Sequence, residues 1–220
     1  MMKESLLKIY LERQEDFKKI RAKFPDEDMA GPLLMSPNII YNDQPLPLLI
    51  VGQETNGWHY NVDNLELQME VYEDFNVGID YYSSPFWNVT RKVEKSLGNA
   101  PYSCAWTNIS KFDLNHSRSY GVYESEISKV DNLLLKEIPI LKPKVCIFFT
   151  GPSFDTRIKS IFQTINFVRI PDYTEREFCR LEHSYLPYQT YRAYHPNYMR
   201  RAGYEYDFLE FISNLRDSIQ

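Results

Sequence analysis

Residues 48–58 read Leu-Leu-Ile-Val-Gly-Gln-Glu-Thr-Asn-Gly-Trp, an aliphatic run that ends abruptly in a glycine and two polar residues. Four consecutive aliphatic side chains fit a strand buried on both faces, as in the centre of a parallel sheet. Gly52 lets the backbone leave that strand without a side chain in the way. Glu54 is therefore expected just beyond the carboxyl end of a buried strand, where open α/β sheets bind their ligands.

Strand and helix patterns alternate along the chain. Besides 46–52, strands are predicted in four segments, of which the third is the weakest: 102–109, 144–150, 165–170 and 190–194. Helical spacing marks six segments: 3–23, 63–75, 85–97, 123–141, 151–162 and 204–215. The polar stretch 171–189 is predicted to be a loop. This alternation predicts an α/β fold, a three-layer α/β/α sandwich around a central, mostly parallel four-stranded sheet.

Length and composition predict one domain in a reducing compartment. The chain has 220 residues, 43% of them hydrophobic, which suits a single domain over 1–220 with 1–40 as an N-terminal helical extension. No run of about 18 apolar residues occurs, so no membrane span is expected. The N-terminus leads into an amphipathic helix and not into an apolar secretory segment. Three widely spaced cysteines favour free thiols and a cytoplasmic location.

Charge and aromatic content limit the kinds of partner that are expected. The net charge of -5 argues against a uniformly basic nucleic-acid binder, although a local basic surface stays open. The 17 Tyr and 13 Phe are expected mostly in the core, with a few as stacking surfaces for bases. The histidines and cysteines have no metal-ligand spacing, and no glycine-rich phosphate loop is present. We therefore expect neither a metal nor a cofactor.

Polar groups follow three of the predicted strands, at Glu54, Asn108 and His195. Because the carboxyl ends of parallel strands meet at one edge of a sheet, these side chains are expected to converge on one crevice. A carboxylate, an amide and an imidazole beside an aromatic wall suit a pyrimidine flipped out of nucleic acid.

Simpler interpretations exist for each residue taken alone. Glu54 can cap the helix that follows the turn. Asn108 at a strand end can be a turn residue, and His195 before a proline can be a loop residue. The turn at 151–153 can place Ser153 against a phosphate of DNA at a helix N-terminus or can be a plain connection.

Four short motifs in order resemble those of the uracil-DNA glycosylase superfamily, closest in style to its mismatch-specific and single-strand-selective branches. They are Gly-Gln-Glu-Thr-Asn-Gly at 52–57, Pro-Phe-Trp at 85–87, Trp-Thr-Asn at 106–108 and His-Pro-Asn at 195–197. Glu54 stands where the family has Asp or Asn, and Thr55 stands where a proline is usual. Three cysteines exclude the iron–sulfur branches, which need four thiolates.

The resemblance implies a role for each matching residue. Glu54 would orient the attacking water and stabilise positive charge on the sugar. Asn108 would hydrogen-bond the edge of the base, and Phe86, or Trp87 in its place, would stack on it. His195 would stabilise the departing base at its carbonyl oxygen, assisted by backbone N–H groups near Gln53.

The resemblance also implies a DNA-contacting face. Tyr198 and Met199 occupy the place of the residue that wedges into the duplex. Asn197 stands where the family has a phosphate-contacting serine. Three arginines flank the wedge and are expected to contact phosphates: Arg192, Arg200 and Arg201.

The resemblance therefore implies a monomeric DNA-repair hydrolase that excises uracil, or a related damaged base, from single- or double-stranded DNA by base flipping. Two alternatives stay open. One is a catalytically silent relative that binds nucleic acid or a free base. The other is a small-molecule hydrolase on the same sheet, for example one that acts on nucleosides.

Overall fold

The computed structural model describes residues 2–219. Its strands are β1 (Met29–Ala30), β2 (Leu48–Gly52), β3 (Ala105–Asn108), β4 (Asp113–Leu114), β5 (Val145–Phe148), β6 (Asn166–Arg169), β7 (Phe178–Glu182) and β8 (Gln189–Ala193). Its α-helices are α1 (Met2–Leu11), α2 (Gln14–Lys23), α3 (Leu65–Phe75), α4 (Pro85–Ser96), α5 (Val122–Ile127), α6 (Leu134–Leu141), α7 (Asp155–Ile161), α8 (Pro196–Arg201) and α9 (Glu205–Ile219).

The main sheet has six strands in the order β3-β2-β5-β8-β7-β6, with helices packed around it. The first four are parallel, whereas β7 and β6 extend the sheet as antiparallel strands at one edge. All residues of β2, β3 and β5 are buried, as the continuous apolar runs of β2 and β5 predict, whereas β3 ends in the polar residues Thr107 and Asn108. A second, two-stranded sheet pairs β1 with β4.

The mixed α/β fold is confirmed, but the predicted number of strands is wrong. The structure has six strands in the main sheet where four were expected. The segment 171–189, predicted to be a loop, contains β7, which pairs with both β6 and β8. Strand β6 lies at the sheet edge and has two half-buried residues between two exposed ones, so its apolar signal is weak.

A buried network of charged and hydroxyl groups joins α1 to α6 and to the segment that follows β3. Glu137 on α6 and Lys111 after β3 form a fully buried ion pair, in which the ammonium lies 2.8 Å from each carboxylate oxygen. The hydroxyl of Tyr10 on α1 donates to the same carboxylate at 3.0 Å and accepts from the backbone N–H of Met35. Every charge buried here thus has a partner.

Among residues 2–219, no helix combines the length and the apolar character that crossing a bilayer requires.

Candidate active site

The carboxyl ends of β2 and β3 are brought together by the parallel register, which pairs Gly52 with Asn108. The buried Asn108 amide lies directly over Gly52. A Cβ atom added to that glycine would lie 2.2 Å from Asn108 Oδ1 and 3.4 Å from Trp106 Nε1. Only glycine therefore fits under the amide, which explains why the strand ends in this residue.

The loop that carries Glu54 is held by a residue that the motifs do not include. Asp113 on β4 is buried, and its Oδ2 accepts hydrogen bonds from the hydroxyl of Thr55 and from the backbone N–H groups of Gly57 (3.0 Å) and Trp58 (3.5 Å). The hydroxyl of Thr55 thus has a structural role. A lone Asp five residues after a strand carries no sequence signal, so Asp113 could not have been found from the motifs.

A second hydrogen bond anchors the start of the same loop. The Gln53 amide donates to the carbonyl oxygen of Thr150 at 2.7 Å, just beyond the end of β5. The Gln53 side chain thereby connects the ends of two neighbouring parallel strands. Gln53 therefore fixes the position of the loop that carries Glu54.

Glu54 is a half-buried carboxylate with an unused oxygen. Its Oε2 is inaccessible to solvent and has no hydrogen-bond partner within residues 2–219. Burial raises the pKa of Glu54 to about 7, although Arg118 and Arg157 oppose that shift. At neutral pH this group is therefore close to its midpoint and can accept or release a proton.

His195 is held as a neutral imidazole at the N-terminus of α8. Burial lowers its pKa to about 4. Its Nδ1 accepts a hydrogen bond from the backbone N–H of Asn197 at 3.3 Å. The single proton of the neutral ring therefore resides on Nε2, which makes Nε2–H a donor for a carbonyl oxygen.

Aromatic rings build one wall of the site at the start of α4, where the Ser84 hydroxyl caps the helix by accepting from the Trp87 N–H at 3.2 Å. The half-buried ring of Phe86 faces the His195 ring with centroids 5.7 Å apart and planes at 30°. Trp87 is buried against Trp106, with ring centroids 5.0 Å apart. Phe86 is therefore the more accessible stacking surface of the two residues predicted.

These groups surround one cavity of about 510 Å³. Seven predicted residues line it: Gln53, Glu54, Phe86, Trp87, Asn108, His195 and Asn197. Four buried polar atoms of lining residues have no partner in the described part of the chain: Glu54 Oε2, Trp58 Nε1, Trp106 Nε1 and Asn108 Nδ2. Because native proteins leave few buried polar atoms unpaired, such a concentration marks a place where a polar ligand supplies the partners.

Two of the predicted DNA-contacting residues are placed elsewhere. Arg192 is only 1% exposed, and its guanidinium forms a two-point ion pair with Asp155 at 3.0 and 3.1 Å. Met199 is 2% exposed, because it packs into the apolar core from α8. The predictions that Arg192 contacts phosphate and that Met199 wedges into DNA are therefore wrong.

The neighbouring residues of α8 stay accessible. Tyr198 is 45% exposed, and the Arg201 guanidinium lies 6.0 Å from its ring centroid. Arg200 is exposed but is paired with Glu205 at 2.7 Å and donates to the side chain of Asn88. Within residues 2–219, the cavity lining does not include Tyr198, Arg200 or Arg201.

Ser153 lies apart from the cavity lining in the short helical turn Pro152–Phe154. Its carbonyl oxygen accepts a hydrogen bond from Arg118 at 3.2 Å. The positive charge of the same arginine partly opposes the rise in the pKa of Glu54 that burial causes. Arg118 therefore links this turn to the electrostatic surroundings of the carboxylate, a connection that the sequence did not indicate.

A second cavity of about 650 Å³ lies beside α1 and α3 and includes none of the motif residues. Two of its charged residues, Lys3 and Glu73, form an ion pair at 2.7 Å. Within residues 2–219, no group of three or more His, Cys, Asp or Glu side chains is arranged to hold a metal ion. The cavity at the strand ends is therefore the candidate active site.

No protein-family model matches this chain, and no curated protein matches it. The function has to be inferred from the residues of the site themselves.

Proposed function

We propose that this protein is a DNA glycosylase that hydrolyses the N-glycosidic bond of uracil, or of a related damaged base, on a three-layer α/β/α domain of the uracil-DNA glycosylase type. One observation carries the proposal: Glu54, Asn108, His195 and Phe86 line a single cavity, in which Glu54 Oε2 and Asn108 Nδ2 have no partner in the described chain. The cavity volume of about 510 Å³ is ample for one flat heterocycle.

Base recognition follows from the donors and acceptors of the site. The amide of Asn108 can donate to one carbonyl oxygen of uracil and accept from the adjacent ring N–H. The Nε2–H of His195 can donate to the other carbonyl oxygen. The ring of Phe86 supplies a stacking surface for the flat face of the base.

The chemistry divides between Glu54 and His195. As the bond between sugar C1′ and the base nitrogen breaks, its electron pair leaves with the base, and positive charge develops on the sugar. The Glu54 carboxylate stabilises that charge and accepts a proton from the water whose oxygen bonds to C1′. Neutral His195 donates a hydrogen bond to the carbonyl oxygen on which the negative charge of the base accumulates.

The test is an excision assay on single- and double-stranded oligonucleotides that contain one uracil, with thymine-containing oligonucleotides as controls. The wild type is expected to form abasic product without added metal. Glu54→Gln preserves shape but neither carries charge nor accepts a proton, so its rate should fall about a thousandfold. The proposal fails if folded wild-type protein forms no abasic product at high concentration.

A second candidate is an enzyme or binding protein for free bases or nucleosides. It is favoured by the burial of Arg192 and the pairing of Arg200 with Glu205, which leave few free cations beside the cavity for phosphates. Turnover of deoxyuridine at a rate unaffected by Arg201→Ala and Tyr198→Ala, with no excision from oligonucleotides, would favour this candidate.

A further inference from the structure

The indole nitrogen of Trp106 is a donor that the proposed mechanism leaves unused. Trp106 lines the cavity and is 6% exposed, and its Nε1 has no partner in the described part of the chain. A buried N–H without a partner has lost its hydrogen bond to water and gained none in exchange. A ligand that brings an acceptor to this atom supplies the missing hydrogen bond.

Trp106 Nε1 lies beside the amide of Asn108. Both side chains project from the same face of β3, because residues two apart on a strand point the same way. Both also approach the same point over Gly52, where an added Cβ would lie 2.2 Å from Asn108 Oδ1 and 3.4 Å from Trp106 Nε1. The two groups are therefore close enough to contact the same edge of one ligand.

The two neighbours differ in what they can recognise. An asparagine amide rotated by 180° exchanges its donor and acceptor, so Asn108 alone accommodates either an oxo group or an amino group. An indole nitrogen only donates. The Trp106 ring is also held in place, stacked on Tyr72 at 6.1 Å and packed against Trp87 at 5.0 Å.

We infer that Trp106 forms a fixed donor subsite beside Asn108 that selects heterocycles with an oxo group at this edge and rejects those with an amino group. This inference rests on the base-binding role proposed for Asn108. An amino group here would direct its N–H bonds at the indole N–H, which leaves donors facing donors and no partner for either. Trp106 is thus a specificity-determining residue for uracil over cytosine.

The first test follows the indole N–H signals of the wild-type protein by ¹H–¹⁵N NMR during titration with free uracil or free cytosine. The chain has only three tryptophans, so Trp58→Phe and Trp87→Phe assign the Trp106 signal by elimination. Uracil should shift the Trp106 signal, and cytosine should leave it in place. An unmoved signal at millimolar uracil would overturn the inference.

The second test measures the ratio of uracil to cytosine affinities by calorimetry. Trp106→Phe keeps an aromatic ring but loses the donor, so the ratio should narrow about tenfold, the size of one neutral hydrogen bond. Tyr72→Phe is the control, because it removes the hydroxyl that accepts a hydrogen bond from the Trp106 backbone N–H and loosens the surroundings of the ring, yet leaves the indole donor, so it should keep the ratio. Equal narrowing in both variants would assign the effect to looser packing and overturn the inference.

The outcomes separate this inference from the proposed function. Uracil binding that depends on Trp106, without excision from DNA, would leave the subsite standing and remove the glycosylase activity. Excision by the wild type, with an unmoved Trp106 signal and an unchanged ratio of uracil to cytosine affinities in Trp106→Phe, would support the glycosylase activity and overturn the donor subsite.

Discussion

Glu137 and Glu54 each have carboxylate oxygens shielded from solvent, and the two groups differ in what surrounds them. Both oxygens of Glu137 are bonded to the ammonium of Lys111, and the Tyr10 hydroxyl adds a further hydrogen bond. Glu54 has an oxygen without a partner in the described chain and a pKa raised to about 7. The comparison separates a carboxylate that stabilises the fold from one that is available for a ligand.

The difference has a thermodynamic consequence. The partners of Glu137 compensate for its loss of hydration, so this charge can remain in the core. Arg118 and Arg157 lower the pKa of Glu54 less than burial raises it, so its ionised form is held at a cost in stability. Such a cost is expected at functional sites, because a carboxylate with a raised pKa can accept and release protons near neutral pH.

Removing the cation that pairs with Glu137 should have the largest effect on stability. Lys111→Met would leave the Glu137 carboxylate buried without a cation, and the free energy of unfolding should fall by about 3–5 kcal/mol. Urea denaturation measures this change. The double variant Lys111→Met with Glu137→Leu removes both charges and should recover most of the loss. A loss below 1 kcal/mol in the single variant would show that Glu137 does not depend on its partner.

Removing the charge of Glu54 should instead raise the free energy of unfolding. The folded pKa of Glu54, about 7, lies above its ordinary value of 4.5, so its stabilising contribution is full below pH 4.5 and is lost as pH rises through 7. Glu54→Gln resembles the protonated form. Its free energy of unfolding should exceed that of the wild type by about 3 kcal/mol at pH 8, and the excess should shrink toward pH 4.5. A variant that is less stable than the wild type at pH 8 would contradict this account.

A smaller effect is expected at Asp113, which positions the loop of Glu54. Asp113→Asn keeps one oxygen acceptor but removes a negative charge that raises the pKa of Glu54. We expect kcat/KM for uracil excision to fall about tenfold and its acid limb to move to lower pH. The pH profile is the decisive measurement, because a merely structural role would lower the rate and leave the limb in place.

The parallel half of the sheet could be predicted because its signal is local. The apolar runs at 48–51 and 145–148 are buried along their whole length, and the polar residues Gln53 and Glu54 follow the end of the first strand. Since parallel strands end at a common edge, the convergence of Glu54, Asn108 and His195 followed from their places in the chain. The cavity lining confirms that these three residues lie together.

The rest depended on tertiary partners that no local pattern reveals. Strand β7 contains charged residues and is defined by its neighbours β6 and β8. The burial of Arg192 follows from Asp155, 37 residues away in the chain. Met199 faces the core because of the direction of α8, which a motif position does not specify. Asp113 contributes through backbone N–H groups, which leave no trace in the identity of the residues that carry them.

The most direct test of the central claim is a crystal structure of Glu54→Gln bound to a uracil-containing oligonucleotide. The account predicts the uracil ring flipped into the cavity against Phe86, with its edge within hydrogen-bond distance of Asn108 and a carbonyl oxygen near His195 Nε2. A uracil bound outside this cavity, or a cavity closed by side chains in the complex, would contradict it.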